Sequence, residues 1–281
     1  MALTVYPPSV SLRPFIRSFT IEETAEQAIQ KVLPGTAAVM GFQFRGSLSI
    51  VAPASQSLIV ANSPQSKSQP KSTLFAAPVD TVTPLASAGI TGLHDSFRLF
   101  RNSAQTGTLL VHFTETGAAN FFTTPLHLLF NGSYSLRDFI TASEISRLEE
   151  RLTAAPDHTA RIALIESWLR NRRRQDKQDL LIEAAVARIH SAKGQLRIAS
   201  LSEELYLSPS RLEKRFRAAV GASPKKFAGL VRLQQLLKAT PLSGDLTALA
   251  YEAGYFDQAH FIHDFTAYTG ASPTEFFRVP R

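Results

Sequence analysis

The sequence predicts an α+β chain of two domains. A β-rich, barrel-like N-terminal domain with flanking helices is followed by an all-α domain, in which two helix-turn-helix units are joined by a central helix. Three observations carry this. The first half sets short β-branched and aromatic runs between Gly, Pro, Asn and Ser. The second half has helical periodicity throughout, with no convincing strand. Its last part repeats itself, Gly221-Ala-Ser-Pro224 returning as Gly270-Ala-Ser-Pro273. Boundaries follow at 1–169 for the β-rich domain, 170–179 for a linker and 180–281 for the helical domain.

Composition fits two packed domains. Of 281 residues, 44% are hydrophobic and only 19% charged, which excludes a wholly disordered chain. No apolar run approaches the length of a membrane span, and the N-terminus lacks the basic-then-apolar order of a secretory signal. The absence of cysteine excludes disulfide scaffolds, Cys-ligated zinc and thiol catalysis, and it fits a reducing compartment. The expectation is a soluble cytoplasmic protein.

Taken in order, Ala37–Phe44, Leu48–Val51, Ser57–Val60 and Thr108–Phe113 read as strands. His94–Arg101 alternates through Phe97, Leu99 and Phe100 and then slips register. Ser63–Ser72 is a loop by composition. From Gly117 the texture turns helical. Ser143–Ala154 aligns Ile145, Leu148 and Leu152 on one face, and Thr159–Leu169 aligns Ile162, Ile165, Trp168 and Leu169. These two stripes suit either a dimer face or packing on the barrel. Arg170–Asp179 carries no apolar residue and serves as the linker.

Charge is distributed unevenly. The chain carries a net +7, yet residues 1–169 hold 12 basic and 12 acidic residues and sum to zero. Within 209–238 stand eight basic residues and one acid, Glu213. A block this compact on a helical pattern is an electrostatic footprint for phosphate.

The repeat gives that block a shape. Leu212 and Phe216 match Phe261 and Phe265 at the offset of 49 that relates the two Gly-Ala-Ser-Pro runs. Upstream, Leu201 and Leu207 match Leu249 and Tyr255. Each unit reads as a short helix (Leu201–Leu205 or Leu246–Ala253), a tight turn, and a second helix that buries its i and i+4 apolar pair. Ser-Pro then restarts the chain, serine capping and proline filling the first turn. In the first unit Ser208 caps the second helix and Pro209 opens it. Burying Leu212, Phe216 and Val220 leaves Ser210, Arg211, Lys214 and Arg217 outward, with Glu213 at the edge. Such a helix fits a DNA major groove, where Arg and Lys prefer guanine edges and Glu accepts from cytosine. Ser223-Pro-Lys-Lys226 places free amides and two lysines at a helix N-terminus, a phosphate clamp.

Residues from about Leu180 to Phe277 resemble the DNA-binding domain of the AraC/XylS family of bacterial transcription regulators. The motifs are Leu207-Ser-Pro-Ser-Arg-Leu-Glu-Lys-Arg-Phe216, Gly221-Ala-Ser-Pro-Lys-Lys-Phe227, Arg232-Leu-Gln-Gln-Leu-Leu237, Leu249-Ala-Tyr-Glu-Ala-Gly-Tyr-Phe-Asp-Gln258, Phe261–Phe265 and Gly270-Ala-Ser-Pro-Thr-Glu-Phe276. The resemblance implies two recognition helices flanking a central helix, Phe227–Ala239, placed in successive major grooves roughly 34 Å apart. Carried over position by position, it gives Ser210, Glu213 and Lys214, and then Gln258, Ala259, Ile262 and His263, as base contacts. Arg211 joins the first set by its outward position and His260 the second by proximity. Arg217, Lys225, Lys226 and Arg232 are the expected phosphate contacts. Gln258 as a helix cap and His260 as a surface residue are equally good readings.

The sequence departs from the family pattern in three places. Tyr206 stands where a glycine is usual, so a tight left-handed turn is expected to be strained or rearranged there. Ser202 replaces the usual Ala. In the second unit, 246–270 has no Lys or Arg and three acids, Glu252, Asp257 and Asp264. The first helix is therefore expected to supply most of the affinity.

For the first domain, Leu12-Arg-Pro-Phe-Ile-Arg17 and Val32-Leu-Pro-Gly-Thr36 resemble a β-rich N-terminal module found in some members. The resemblance implies a sensory or dimerisation domain, with a small-molecule or protein effector, a homodimer, double-stranded operator DNA and RNA polymerase as partners of an activator. No cofactor and no metal are expected: His94, His112 and His127 show no HxH or HxxxH spacing, and ordinary packing accounts for them. No Gly-x-Ser-x-Gly elbow or Gly-rich phosphate loop is present. The competing reading is a β-barrel enzyme whose helical half is a scaffold or a nonspecific DNA tether. The charge split favours the regulator.

Overall fold

The computed structural model describes residues 2–52, 81–174, 178–238, 246–255 and 257–278. Ser57–Val60 and Ser63–Ser72 lie outside them. Among the described residues, the N-terminal half holds ten strands in two antiparallel sheets. These are β1 (Ala2–Tyr6), β2 (Ile16–Thr24), β3 (Ala28–Val32), β4 (Val39–Arg45), β5 (Leu48–Ala52), β6 (Thr81–Pro84), β7 (Ala88–Thr91), β8 (Arg98–Asn102), β9 (Thr106–Phe113) and β10 (Ser133–Ser135). Six form one sheet in the order β1-β2-β9-β4-β7-β10, and four form the other in the order β3-β8-β5-β6.

The two-residue alternation of a strand decides what each face does. Phe19 and Ile21 on β2, Met40 and Phe42 on β4, Ile90 on β7, and Leu109, Val111 and Phe113 on β9 are buried in one core cluster. Helices α1 (Ala142–Ala154) and α2 (His158–Arg172) cover that face with Ile145, Leu148, Leu152, Ile162, Ile165 and Leu169, all in the same cluster. The stripes that also suited a dimer face are thus occupied by the sheet. The intervening residues point the other way, toward the four-stranded sheet, where Asn102 Nδ2 donates to Thr24 Oγ1 at 3.3 Å. Thr20, Thr24, Thr108 and Asn102 are all buried on that side.

Sequence and structure part company in two stretches. His94–Arg101 is strand only from Arg98, because His94–Phe97 leaves the sheet and docks on the helical half. From Gly117 to Ile140 the chain makes single 3-10 turns (Ala118–Asn120, Leu126–Leu129, Leu136–Asp138) and the strand β10, and regular helix begins only at Ala142. Arg172 stays on α2, paired with Glu144 of α1 at 2.8 Å.

The helical half comprises α3 (Leu180–Ser191), α4 (Ile198–Glu204), α5 (Pro209–Val220), α6 (Pro224–Lys238), α7 (Leu246–Glu252), α8 (Gln258–Thr269) and α9 (Pro273–Arg278). Its core is one cluster that includes Leu201, Leu212, Phe216, Phe227, Leu230, Leu233, Phe261 and Phe265. The repeat is therefore a repeat of core positions: Phe216 stacks edge-on against Phe227, and Phe265 against Phe276. The central helix starts three residues earlier than the expected Phe227, because Ser223 caps it through the Lys226 amide at 3.2 Å. No helix among the described residues is long and apolar enough to cross a membrane.

Candidate nucleic-acid interface

Helix α5 is built as its composition demands. Ser208 accepts from the Arg211 amide at 3.4 Å and Pro209 occupies the first turn; Gly221, at φ 103°, ends the helix in the left-handed conformation. Leu212, Phe216 and Val220 are fully buried. Ser210, Arg211, Glu213, Lys214 and Arg217 are all exposed on the opposite side. Arg217 Nη1 lies 3.5 Å from Glu213 Oε1, so the single acid of this face is shared with a cation one turn away. Arg215, between the two faces, reaches back to Asp179 at 2.6 Å and ties α5 to the cap of α3.

The turn before α5 runs through Tyr206, which takes φ 53° with its side chain 96% exposed. Gly254 takes φ 75° at the corresponding turn of the second unit. The first unit thus keeps the backbone geometry that glycine serves in the second, and a tyrosine bears the strain. Ser202 is accommodated by donating to the Ile198 carbonyl at 3.2 Å.

In the second unit Asp257 caps α8, accepting from the His260 amide at 2.7 Å. Gln258 is therefore the first helical residue and not the cap. Gln258, Ala259, His260, Ile262 and His263 are exposed together, while Phe261, Phe265 and Tyr268 turn inward. Asp264 sits half-buried at the edge of this face, 3.5 Å from both His260 Nε2 and His263 Nδ1. Burial, with Asp264 nearby, pushes the hydroxyls of Tyr255 and Tyr268 up, so neither contributes a competing charge. The exposed face of α5 carries Arg and Lys; that of α8 carries Gln258, Ala259, Ile262 and two histidines around the Asp264 carboxylate.

The four expected phosphate residues do not share one environment. Arg217 and Lys225 are exposed. Lys226 Nζ is engaged by Asp95 Oδ2 of the N-terminal half at 2.8 Å. Arg232 is turned inward: Nη1 donates to the Gly194 carbonyl at 2.9 Å, and its guanidinium lies 5.4 Å above the Tyr255 ring. Arg232 braces the α3–α4 turn against the second unit. Asp95 had no signal in the sequence, since its partner lies 131 residues away.

The helix-turn-helix domain model matches residues 201–278. The arabinose operon regulatory protein of Escherichia coli is 36% identical over 90 residues, which is 31% of this chain and 30% of that protein. An HTH-type transcriptional regulator of Haemophilus influenzae is 33% identical over 105 residues, 36% of this chain and 34% of its own length. The chain thus spans about a third of the length of these curated relatives. A solved structure of ToxT from Vibrio cholerae overlays with TM-score 0.43 at 10% identity, covering 99% of this chain and 98% of that one. Over residues 201–278 the chain thus matches a helix-turn-helix domain, and there it is similar to curated transcription regulators.

Proposed function

We propose that the chain is a sequence-specific DNA-binding transcription regulator, that α5 and α8 read two successive major-groove segments, and that an effector bound by the N-terminal half modulates them. The observation that carries this is the exposed face of α5. Arg211, Lys214 and Arg217 stand free of the core on a capped helix, at the positions where a groove-reading helix presents donors to base edges and phosphates. A scaffold has no use for this concentration of cations on one face. The relatives of the helical half are named as regulators, which supports the same assignment over a catalytic one.

On this proposal Ser210, Arg211, Glu213 and Lys214 read one segment, and Gln258, Ala259, His260, Ile262 and His263 the next. The effector reading is supported by the inner side of the six-stranded sheet. That side carries the buried threonines Thr20, Thr24 and Thr108, with Asn102 opposite, in place of the apolar packing seen on the other side. Glu22 and His112 follow the same alternation; burial raises the pKa of the first and lowers that of the second, so both tend toward their neutral forms. Polar groups withdrawn from bulk water suit hydrogen bonding to a small polar molecule. A homodimer, RNA polymerase contact and a cytoplasmic location belong to the same proposal.

The test is a fluorescence titration of the full chain on its own promoter region against a scrambled duplex of equal length, at one fixed salt concentration. Preference for the promoter by at least about 1000-fold, with protection of two major-groove segments on one DNA face, supports the proposal. Equal affinity for both duplexes overturns it.

A further inference from the structure

Both Gly-Ala-Ser-Pro turns of the helical half meet one loop of the N-terminal half. The β7–β8 loop runs Leu93-His-Asp-Ser-Phe97. Leu93 is 2% exposed and sits in the core cluster of the helical domain, although it belongs to the other half. It packs at the first turn, where a Cβ on Gly221 would lie 3.5 Å from its side chain. Phe97 packs at the second turn, so closely that a Cβ on Gly270 would overlap its ring. Between them Asp95 holds Lys226 at 2.8 Å.

The loop is also held by residues of its own half. Asn131 Nδ2 donates to Asp95 Oδ1 at 2.9 Å, and the Asp95 amide donates to Asn131 Oδ1 at 3.1 Å. His94 Nδ1 lies 2.7 Å from the Ser96 carbonyl. Burial tends to raise the pKa of Asp95, but the hydrogen bonds from Lys226 and Asn131 outweigh it and hold the carboxyl below its ordinary range. The Asp95 carboxylate therefore presents to Lys226, one turn into α6, the same chemistry that a DNA phosphate would. The base-reading residues of α5 remain exposed while this happens.

We propose that the β7–β8 loop is an intramolecular clamp: it grips the two equivalent turns that end the reading helices, and its Asp95 competes with DNA phosphate for Lys226. DNA engagement by Lys226 requires Asp95 to let go, so whatever displaces this loop strengthens DNA binding and couples the N-terminal half to both reading units. The inference rests on the proposed DNA-binding function. Because a phosphate contact is independent of sequence, a random 30-base-pair duplex serves as the probe.

The experiment measures the anisotropy of that duplex with full-length wild type, Asp95→Asn, Lys226→Ala and the double variant, over a salt series. Asp95→Asn is expected to bind about three- to fivefold tighter, the range of an exposed ion pair released. Its salt slope should steepen by about 0.9, one phosphate gained. In the Lys226→Ala background the same substitution should give no gain. An unchanged affinity for Asp95→Asn overturns the clamp. An equal gain in both backgrounds also overturns it, since that is the mark of a general loss of negative charge. If neither wild type nor any variant binds duplex DNA, the proposed function itself fails, and the clamp with it.

Discussion

Replacing Tyr206 by glycine should stabilise the helical half, which is unusual for a substitution that deletes a whole aromatic side chain. The backbone at this residue is left-handed, φ 53°, where an L-residue with a Cβ pays roughly 1–2 kcal/mol relative to glycine. The ring contributes nothing in return, being 96% exposed. Against this stands the extra freedom that glycine gives the unfolded chain, about 0.4–1 kcal/mol. The balance is a stabilisation of about 0.5–1 kcal/mol. For a unit of this size it corresponds to a rise of roughly 2–6 °C in the melting temperature of the helical domain. Differential scanning calorimetry of Tyr206→Gly and Tyr206→Ala separates the causes. The alanine variant keeps the strained φ and should leave the transition where it is. A lower melting temperature for Tyr206→Gly, or an equal rise for both variants, refutes the reasoning.

Three other perturbations test the supports of the site. Burial would raise the Glu115 carboxyl, but a hydrogen bond from His190 and the charge of Arg17 hold it at about 2, well below 4.5. A depressed carboxylate stabilises fully above its unfolded pKa and loses this as pH falls through the folded one. Melting curves of wild type and Glu115→Gln should therefore differ most above about pH 5, by up to about 3 kcal/mol, and converge toward about pH 2. Gly270→Ala meets both a positive φ of 68° and the Phe97 ring, and should cost more than about 2 kcal/mol in urea unfolding. Adding Phe97→Ala should recover part of that loss for Gly270→Ala but none for Gly221→Ala, whose Cβ approaches Leu126 and Leu93 instead. Arg232→Ala removes a charged hydrogen bond and a stacked ring contact, and should lower the stability of the helical half by about 2 kcal/mol in the same assay.

The helical half was legible because its determinants are local. Ser208, Asp257 and Ser272 cap helices whose amides lie three residues on, and Gly221 and Gly270 end helices by their own backbone freedom. Apolar residues four apart, Leu212 with Phe216 and Phe261 with Phe265, then fix which side chains face outward. Even the strain at Tyr206 could be expected, from the glycine usual at that position in the family pattern. The β half was less legible, because a strand is stabilised by partners distant in sequence. β2 pairs with β1 on one side and with β9, some ninety residues away, on the other. The start of His94–Arg101 looks like a strand in isolation, because nothing local shows that Leu93 serves the helical core and Phe97 packs at Gly270. Arg232 and Lys226 carry the charge that phosphate attracts, but periodicity does not say which basic residue also has partners inside the protein. Only three-dimensional pairing with Gly194, Tyr255 and Asp95 reveals that.

The two helices proposed to read DNA are unequal. α5 presents Arg211, Lys214 and Arg217, whereas α8 presents His260 and His263 beside the carboxylate of Asp264. The most direct test compares the affinity of Lys214→Ala and His263→Ala for the promoter fragment at one salt concentration. Removing Lys214 should cost about 1–3 kcal/mol, roughly 5- to 150-fold in affinity. Removing His263, which is exposed and already shares Asp264, should change affinity by less than about threefold. Equal losses from the two substitutions would contradict the account.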